Sequence, residues 1–457
     1  MQGVRDKEIA GKKITVIGAA RSGAGVAQLL KEKGAAVFVS DSGPAEKLRA
    51  QMKVMASMDI DIETGGHSNR VYDAEMMVLS PGVPSTAPVV REARRRELRI
   101  ISELELASWF CPCPIVAVTG TNGKTTTTTL IGRLLHDGQK RHVVAGNIGT
   151  AFSSVVSELD DASVAVLEVS SFQLDDIESF HPKISIILNI TPDHLDRYEH
   201  SFDRYIASKC RVFENQTKED VLIYNDDDAV TREHVERLAG SHVRLMPFGL
   251  HHAFEEGSYV DRGRLFTRID GQAQDVIGVE EISIKGIHNL YNSMAAALTA
   301  QLMAVSVPSI RATLRNFKGV EHRLEFVREV NRVKFVNDSK ATNVDSVWYA
   351  LQTFKEPIVL LLGGRDKGNE YGKLADLTSK HVKAIVAIGE SSEKVYRAFL
   401  SLCPVIKAAS MEDAVKAAST LASPGDVVLL SPACASFDWF DNYEHRGRVF
   451  KEIVNAL

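Results

Sequence analysis

The chain has 457 residues, 44% hydrophobic and 25% charged, an ordinary balance for a water-soluble globular protein. That length exceeds a single hydrophobic core, so two or three domains are expected. A net charge of −5 offers no basic footprint for nucleic acid, no apolar stretch reaches membrane-spanning length, and five scattered cysteines without a secretory leader suit reduced thiols in the cytoplasm.

The first block opens with a strand at residues 14–17, a turn at 18–23 and a helix at 26–33. A second strand at 36–40 ends at Asp41, which makes the start of a Rossmann βαβ unit with an acidic residue after its second strand. The middle glycine of the dinucleotide fingerprint is replaced by Ala20, whose methyl group stands where a pyrophosphate would approach. A dinucleotide is therefore disfavoured, and a nucleotide held less closely, with Asp41 near its ribose or base, is expected. A Rossmann fold kept only for structure is the alternative. The strand at 76–80 runs into Pro81-Gly82-Val83-Pro84, a lip of the same pocket, and helices follow at 87–96 and 103–110.

The apolar, β-branched run at 115–118 reads as a buried strand. Gly120 and Gly123 follow, then Lys124, a threonine run and a helix through residues 130–135. Strand, glycine turn and helix start form a phosphate cradle, because N–H groups at a helix N-terminus favour an anion. Lys124 can reach the β/γ oxygens and the Thr125 hydroxyl can ligate Mg²⁺. The strict P-loop pattern places glycine at position 118, where this chain has Val118, so an ordinary glycine turn before a helix stands as the bland alternative.

Next come a strand at 143–149 and a helix at 153–159. A strand at 164–167 ends at Glu168, and a strand at 184–190 ends in a segment holding Asp193 and His194. These strand ends lie on the edge of the phosphate loop, where Glu168 and His194 would assemble a second Mg²⁺ site. A helix at 201–215 carries Lys209, which spacing alone reads as a solvated lysine. Residues 248–284 read as short antiparallel strands, and residues 286–292 lead into an alanine-rich helix at 293–305. The last block has strands at 333–336, 358–362, 383–389 and 427–430, and several strand ends carry basic and hydroxyl residues suited to a carboxylate or phosphate. The expected fold is α/β in three domains. These are a Rossmann-like domain at 1–102, a P-loop-type central ATPase domain at 103–319 with a mostly parallel sheet plus a small antiparallel sheet, and a Rossmann-like domain at 320–457.

The stretches 119–126, 146–149, 168–174, 193–198 and 288–289 resemble the Mur ligases, ATP-dependent amide-bond-forming enzymes of peptidoglycan precursor synthesis. Stretches 321–325, 337–343, 361–364 and 430–436 complete a series that spans nearly the whole chain in order. The resemblance implies that Gly120, Thr121, Asn122, Gly123, Lys124, Thr125 and Thr126 hold the ATP phosphates, with Asn289, Asn292, Arg323 and Asp338 around adenine, ribose and phosphate. It implies two Mg²⁺ ions, held by Thr125, Glu168, His194 and a carbamate on Lys209, which reverses the reading of that lysine from spacing. Lys124, His194 and Lys209 are the implied catalytic residues. Arg21, Ser22, Asp41, Ser42, Gly82, Asn147 and His194 match the pocket for the UDP-linked substrate, which accounts for Ala20. Lys340, Thr342, Lys367, Ser436 and Tyr443 match positions around the incoming amino acid. The implied pair is D-glutamate and UDP-N-acetylmuramoyl-L-alanine, joined through an acyl phosphate and a tetrahedral intermediate by a monomeric cytoplasmic enzyme. A sister ligase for another amino acid and a P-loop protein that only hydrolyses ATP are the rivals.

Overall fold

The computed structural model describes residues 8–147, 149–366 and 368–457. Five parallel strands make the first sheet: β1 (Lys13–Ile17), β2 (Ala36–Asp41), β3 (Asp61–Thr64), β4 (Met76–Leu79) and β5 (Arg99–Ser102), in the order β3-β2-β1-β4-β5. Helix α1 (Arg21–Glu32) starts earlier than its apolar residues suggest, so Arg21 and Ser22 lie in its first turn. Its N-cap, Ala20, supplies no side-chain hydrogen bond, and uncapped N–H groups at a helix start favour an anion.

The second sheet holds β6 (Ile115–Thr119), β7 (His142–Gly146), β8 (Val164–Glu168), β9 (Ile184–Ile187), β10 (Val221–Asn225), β11 (Arg244–Gly249), β12 (Gly257–Asp261), β13 (Arg264–Ile269) and β14 (Gln272–Gly278). Their order is β14-β13-β12-β11-β10-β9-β6-β8-β7. The small antiparallel part expected within 248–284 is β12, β13 and β14, and it extends this same sheet: β11 runs parallel to β10 and β12 parallel to β11. Beside the central strand β6, whose five residues are all buried, lie β9 and β8. Both neighbours end on the edge that carries the phosphate loop.

The third sheet comprises β15 (Glu325–Val330), β16 (Val333–Asn337), β17 (Ile358–Gly363), β18 (Val382–Ile388), β19 (Val405–Lys407) and β20 (Val427–Leu430), ordered β15-β16-β20-β17-β18-β19. Only β15 is antiparallel. Strand β17 reads as a continuous apolar run because both faces are covered: Ile358, Leu360 and Leu362 pack into one core, Val359 and Leu361 into the other.

Strands β3, β5, β15 and β19 escape the sequence reading, and all four are sheet edges. Edge strands keep polar residues and give no long apolar run. The helix expected at 153–159 is two single 3₁₀ turns, Phe152–Ser154 and Val156–Glu158. Serines and β-branched valines support a helix poorly, and the turns pack against Gly25 of α1, where a Cβ would come 2.2 Å from Ser154 Oγ. The helix expected at 201–215 is α only over Phe202–Cys210 and then tightens into a 3₁₀ turn at Arg211–Phe213. The alanine-rich helix begins at Ile287 and ends at Leu302, so Asn289 and Asn292 are helical.

By contacts the chain forms two compact units, Met1–Glu281 with Tyr291–Arg315, and Ile282–Leu290 with Asn316–Leu457. The first unit joins the first two sheets, and the join is polar as well as apolar. In the helix Glu103–Ser108, the wholly buried Glu105 accepts from Trp109 Nε1 (2.6 Å), Ser179 Oγ (2.6 Å) and the backbone N–H groups of Glu178, Ser179 and Phe180. Glu103 accepts from the N–H of Ser153 at 2.7 Å. Those bonds are what allow carboxylates to sit in a core.

Candidate active site

The phosphate loop leaves β6 at Gly120 and enters the helix Lys124–Asp137 through Gly123. Both glycines have positive φ, 145° and 87°, and both are crowded. A Cβ on Gly120 would lie 3.0 Å from Leu188 Cβ, and one on Gly123 2.3 Å from Asn292 Oδ1. The loop is braced from behind by the segment after β9. Thr121 Oγ1 donates to the Thr191 carbonyl (2.9 Å), the Asn122 N–H donates to Asn189 Oδ1 (2.9 Å), and Asn189 Nδ2 donates back to the Asn122 carbonyl (3.1 Å). Asn189 is a site residue that sequence reasoning missed; its place one strand away from the loop is a tertiary fact. Asn292 accepts from Thr127 Oγ1 at 3.2 Å.

Two lysines converge on one oxygen. Lys124 Nζ donates to the carbonyls of Gly120 and Thr121, each at 2.8 Å, and Lys209 Nζ donates to the Gly120 carbonyl, also at 2.8 Å. Lys209 is 1% exposed, not solvated, and its ammonium lies over the Tyr205 ring at 4.6 Å. Burial, and then the charge of Lys124, push its amine well below the ordinary lysine range. Across the loop, Thr125 Oγ1 donates to Glu168 Oε2 at 2.7 Å, both side chains buried. The backbone of Asn147 reaches the same strand end, its N–H donating to the Glu168 carbonyl at 2.9 Å. His194 has a left-handed backbone (φ 52°), donates its N–H to Asp193 Oδ1 (2.8 Å) and stands edge-on to Phe172 at 6.3 Å.

On the first sheet an open cleft crosses the strand ends, lined among others by Arg21, Ser22, Asp41, Ser42 and Gly82. Asn147 and His194 do not line it. Asp41 shapes its floor: Oδ2 accepts from the Ala19 N–H (2.6 Å) and Oδ1 from the Gly43 N–H (2.7 Å). Gly23 lets α1 come close to the turn, since a Cβ there would strike the Gly18 carbonyl at 1.7 Å. His67 also lines the cleft and was missed, because the loop after an unread edge strand carries no motif.

In the second unit, Asp338 is buried at the end of β16, accepting from Ser431 Oγ (2.8 Å) and the Leu324 N–H (3.2 Å). Burial raises its carboxyl to about 6, against the pull of the nearby Arg323 guanidinium. Lys340 Nζ donates to Tyr443 Oη at 3.2 Å and sits 5.0 Å over its ring. Thr342 lies on the same strand-end loop, and Ser436 is buried on the loop after β20. Asn289 belongs to this unit and bonds the Lys285 carbonyl, whereas Asn292 belongs to the first. Lys367 lies outside the described residues. Arg446, 1% exposed, ties the two loops together through Ser339 Oγ (2.9 Å), the Ser339 carbonyl (2.8 Å) and the Cys434 carbonyl (3.1 Å). An arginine inside a polar helical stretch gives no advance sign of such burial.

A phosphate loop on a mostly parallel sheet, with one α/β sheet before it and one after it along the chain, defines a nucleotide-using α/β enzyme. Residues 13–89 match the MurD N-terminal domain, 118–300 the Mur ligase middle domain and 322–434 the Mur ligase glutamate ligase domain. The chain belongs to the Mur ligase family. It is 46% identical over 465 residues to a protein of Chloroherpeton thalassium named UDP-N-acetylmuramoylalanine--D-glutamate ligase, covering 99% of both chains. A protein of the same name from Salinibacter ruber is 46% identical over 458 residues, covering 98% of this chain and 99% of the relative. Among solved structures, a pseudomurein peptide ligase type C from Methanothermus fervidus shares the fold at TM-score 0.61 and 20% identity, over 98% of this chain and all of that one. UDP-N-acetylmuramate-alanine ligase from Thermotoga maritima shares it at TM-score 0.60 and 19% identity, over 97% of this chain and 99% of that one.

Proposed function

We propose that this chain is an ATP-dependent ligase that adds D-glutamate to UDP-N-acetylmuramoyl-L-alanine in peptidoglycan precursor synthesis. The full-length likeness to relatives bearing that ligase name carries the reading. ATP and a UDP-linked acceptor are cytoplasmic metabolites, which supports work in the cytoplasm. The chain divides for this task into domains at 1–102, 103–319 and 320–457: the first sheet for the UDP moiety, the second for ATP, the third for the amino acid.

The L-alanyl carboxylate attacks the γ-phosphorus of ATP to give an acyl phosphate and ADP. The D-glutamate amine then attacks the acyl carbon, and phosphate leaves through a tetrahedral intermediate. The first step brings two anions together, so positive charge must be supplied and the groups aligned. Gly120, Thr121, Asn122, Gly123 and Thr126 offer the phosphates a cradle of backbone N–H groups, and Lys124 turns from its two carbonyls to the β/γ oxygens. Thr125 and Glu168 are paired oxygen donors in a buried setting, a donor set that fits Mg²⁺. Glu168, His194 and a carbamylated Lys209 would hold a second ion. When bound, the two ions supply positive charge to the phosphoryl oxygens. A carbamate forms from a neutral amine and CO₂, and the displaced proton equilibrium of Lys209 supports it.

Asn289, Asn292, Arg323 and Asp338 serve the nucleotide of ATP. Arg21, Ser22, Asp41, Ser42 and Gly82 take the uridine diphosphate in the first cleft, with Asn147 and His194 further along the substrate. Lys340, Thr342, Lys367, Ser436 and Tyr443 receive D-glutamate; two lysines there suit an amino acid with two carboxylates. The test supplies the purified protein with UDP-N-acetylmuramoyl-L-alanine, ATP, Mg²⁺ and one amino acid at a time. ADP release that depends on D-glutamate is expected. Preference for L-lysine or diaminopimelate, or ADP release indifferent to amino acid, would overturn the reading.

A further inference from the structure

The first cleft ends, beyond β3, in a hydrogen-bond relay. Ser40 is wholly buried at the end of β2. Its Oγ lies 2.7 Å from Glu63 Oε1 and 2.7 Å from His67 Nδ1. Glu63 also accepts from the Ser68 N–H at 3.0 Å. Burial works against the Glu63 charge, but the bonds from Ser40 and Ser68 outweigh it and hold the carboxyl below its usual range. An ionised Glu63 can only accept, so the single hydroxyl hydrogen of Ser40 goes to it. Ser40 then has only a lone pair to offer His67, and Nδ1 must carry the ring proton. The tautomer is thereby fixed: in the neutral ring Nε2 is an acceptor, and among the described residues it makes no hydrogen bond to protein.

Arg21 and the α1 N-terminus line the cleft and attract a diphosphate. Glu63, held beside His67 through the Ser40 hydroxyl, disfavours phosphate at that ring. We propose that His67 reads the nucleoside of the UDP-linked substrate, its Nε2 accepting a hydrogen bond from the uracil N3–H or from the ribose 2′-hydroxyl. The inference rests on the assignment of this cleft to the uridine nucleotide. Nothing in the sequence pattern marks His67; the Glu63–Ser40–His67 chain does.

The experiment uses the full chain and UDP as probe, with affinity read by calorimetry. His67→Ala should weaken UDP roughly three- to tenfold, the worth of one hydrogen bond. Ser40→Ala, which frees the tautomer, should weaken it by less. N3-methyl-UDP and 2′-deoxy-UDP then separate the two donors. The analogue lacking the donor that His67 uses should bind wild type and His67→Ala alike, while the other analogue keeps the difference. Wild-type affinity in His67→Ala, with Arg21→Ala weakened, would overturn the inference and leave the cleft assignment standing. Undiminished affinity in both variants would remove the cleft assignment itself. A His67→Ala loss that persists unchanged with both analogues would mean a phosphate contact and would also overturn the proposal.

Discussion

Lysines 124 and 209 show what burial does to side chains of the same type. Lys124, half-buried, keeps to the loop it serves and is placed to move onto phosphate. Lys124→Ala should abolish ADP formation, and full ligase turnover in that variant would reject its role. Lys209 is sealed, and burial shifts its amine toward the neutral form, the form that reacts with CO₂. With ¹³C-labelled bicarbonate, the protein should show a carbamate carbon resonance that Lys209→Arg lacks. Asp338 gives a pH signature. Its unfolded carboxyl ionises near 4, whereas the folded one holds its proton to about 6. Across that window the folded state binds more protons, so stability falls as pH rises, by on the order of 3 kcal/mol. The cost persists above the window. Urea unfolding of Asp338→Asn between pH 4 and 7 should lack this component; an identical pH slope in variant and wild type would rule it out.

Elements, not single residues, hold the phosphate cradle open. The loop is fastened to the segment after β9 by five hydrogen bonds and to Asn292 by close packing. Gly123→Ala should test this fastening. Its Cβ would press on Asn292 Oδ1, and φ of 87° costs a non-glycine residue about 1–3 kcal/mol. ATP affinity should fall at least tenfold while UDP binding in the first cleft is unchanged. Equal losses at both sites would indicate general unfolding instead. At this scale the sequence was legible where strands are central. The runs in β6, β8, β9, β17 and β20 are apolar because both faces are buried, and the motifs at their ends could be placed from that alone. Edge strands, and the two 3₁₀ turns against Gly25, follow from neighbours that the local sequence does not name.

The first two sheets form one compact unit, and Glu105 is the polar centre of their join. Removing it leaves several buried donors unpaired, each costing about 1–3 kcal/mol. Glu105→Ala should lower the melting temperature and split the calorimetric transition, with the first sheet melting ahead of the second; a single unshifted transition would show that apolar packing alone suffices.

By itself the sequence determined the α/β class, the phosphate loop and the order of motifs along the chain. Those depend on local apolar runs, glycine turns and residues a few positions apart. Only the tertiary structure decided that Lys209 is buried on the Gly120 carbonyl, that Asn189 braces the loop, that Arg446 joins two distant loops and that His67 has a fixed tautomer. Each depends on burial and on partners 12 to 107 residues away. Charge state and hydrogen-bond role are set by what surrounds a side chain, and that is known only once the chain has folded.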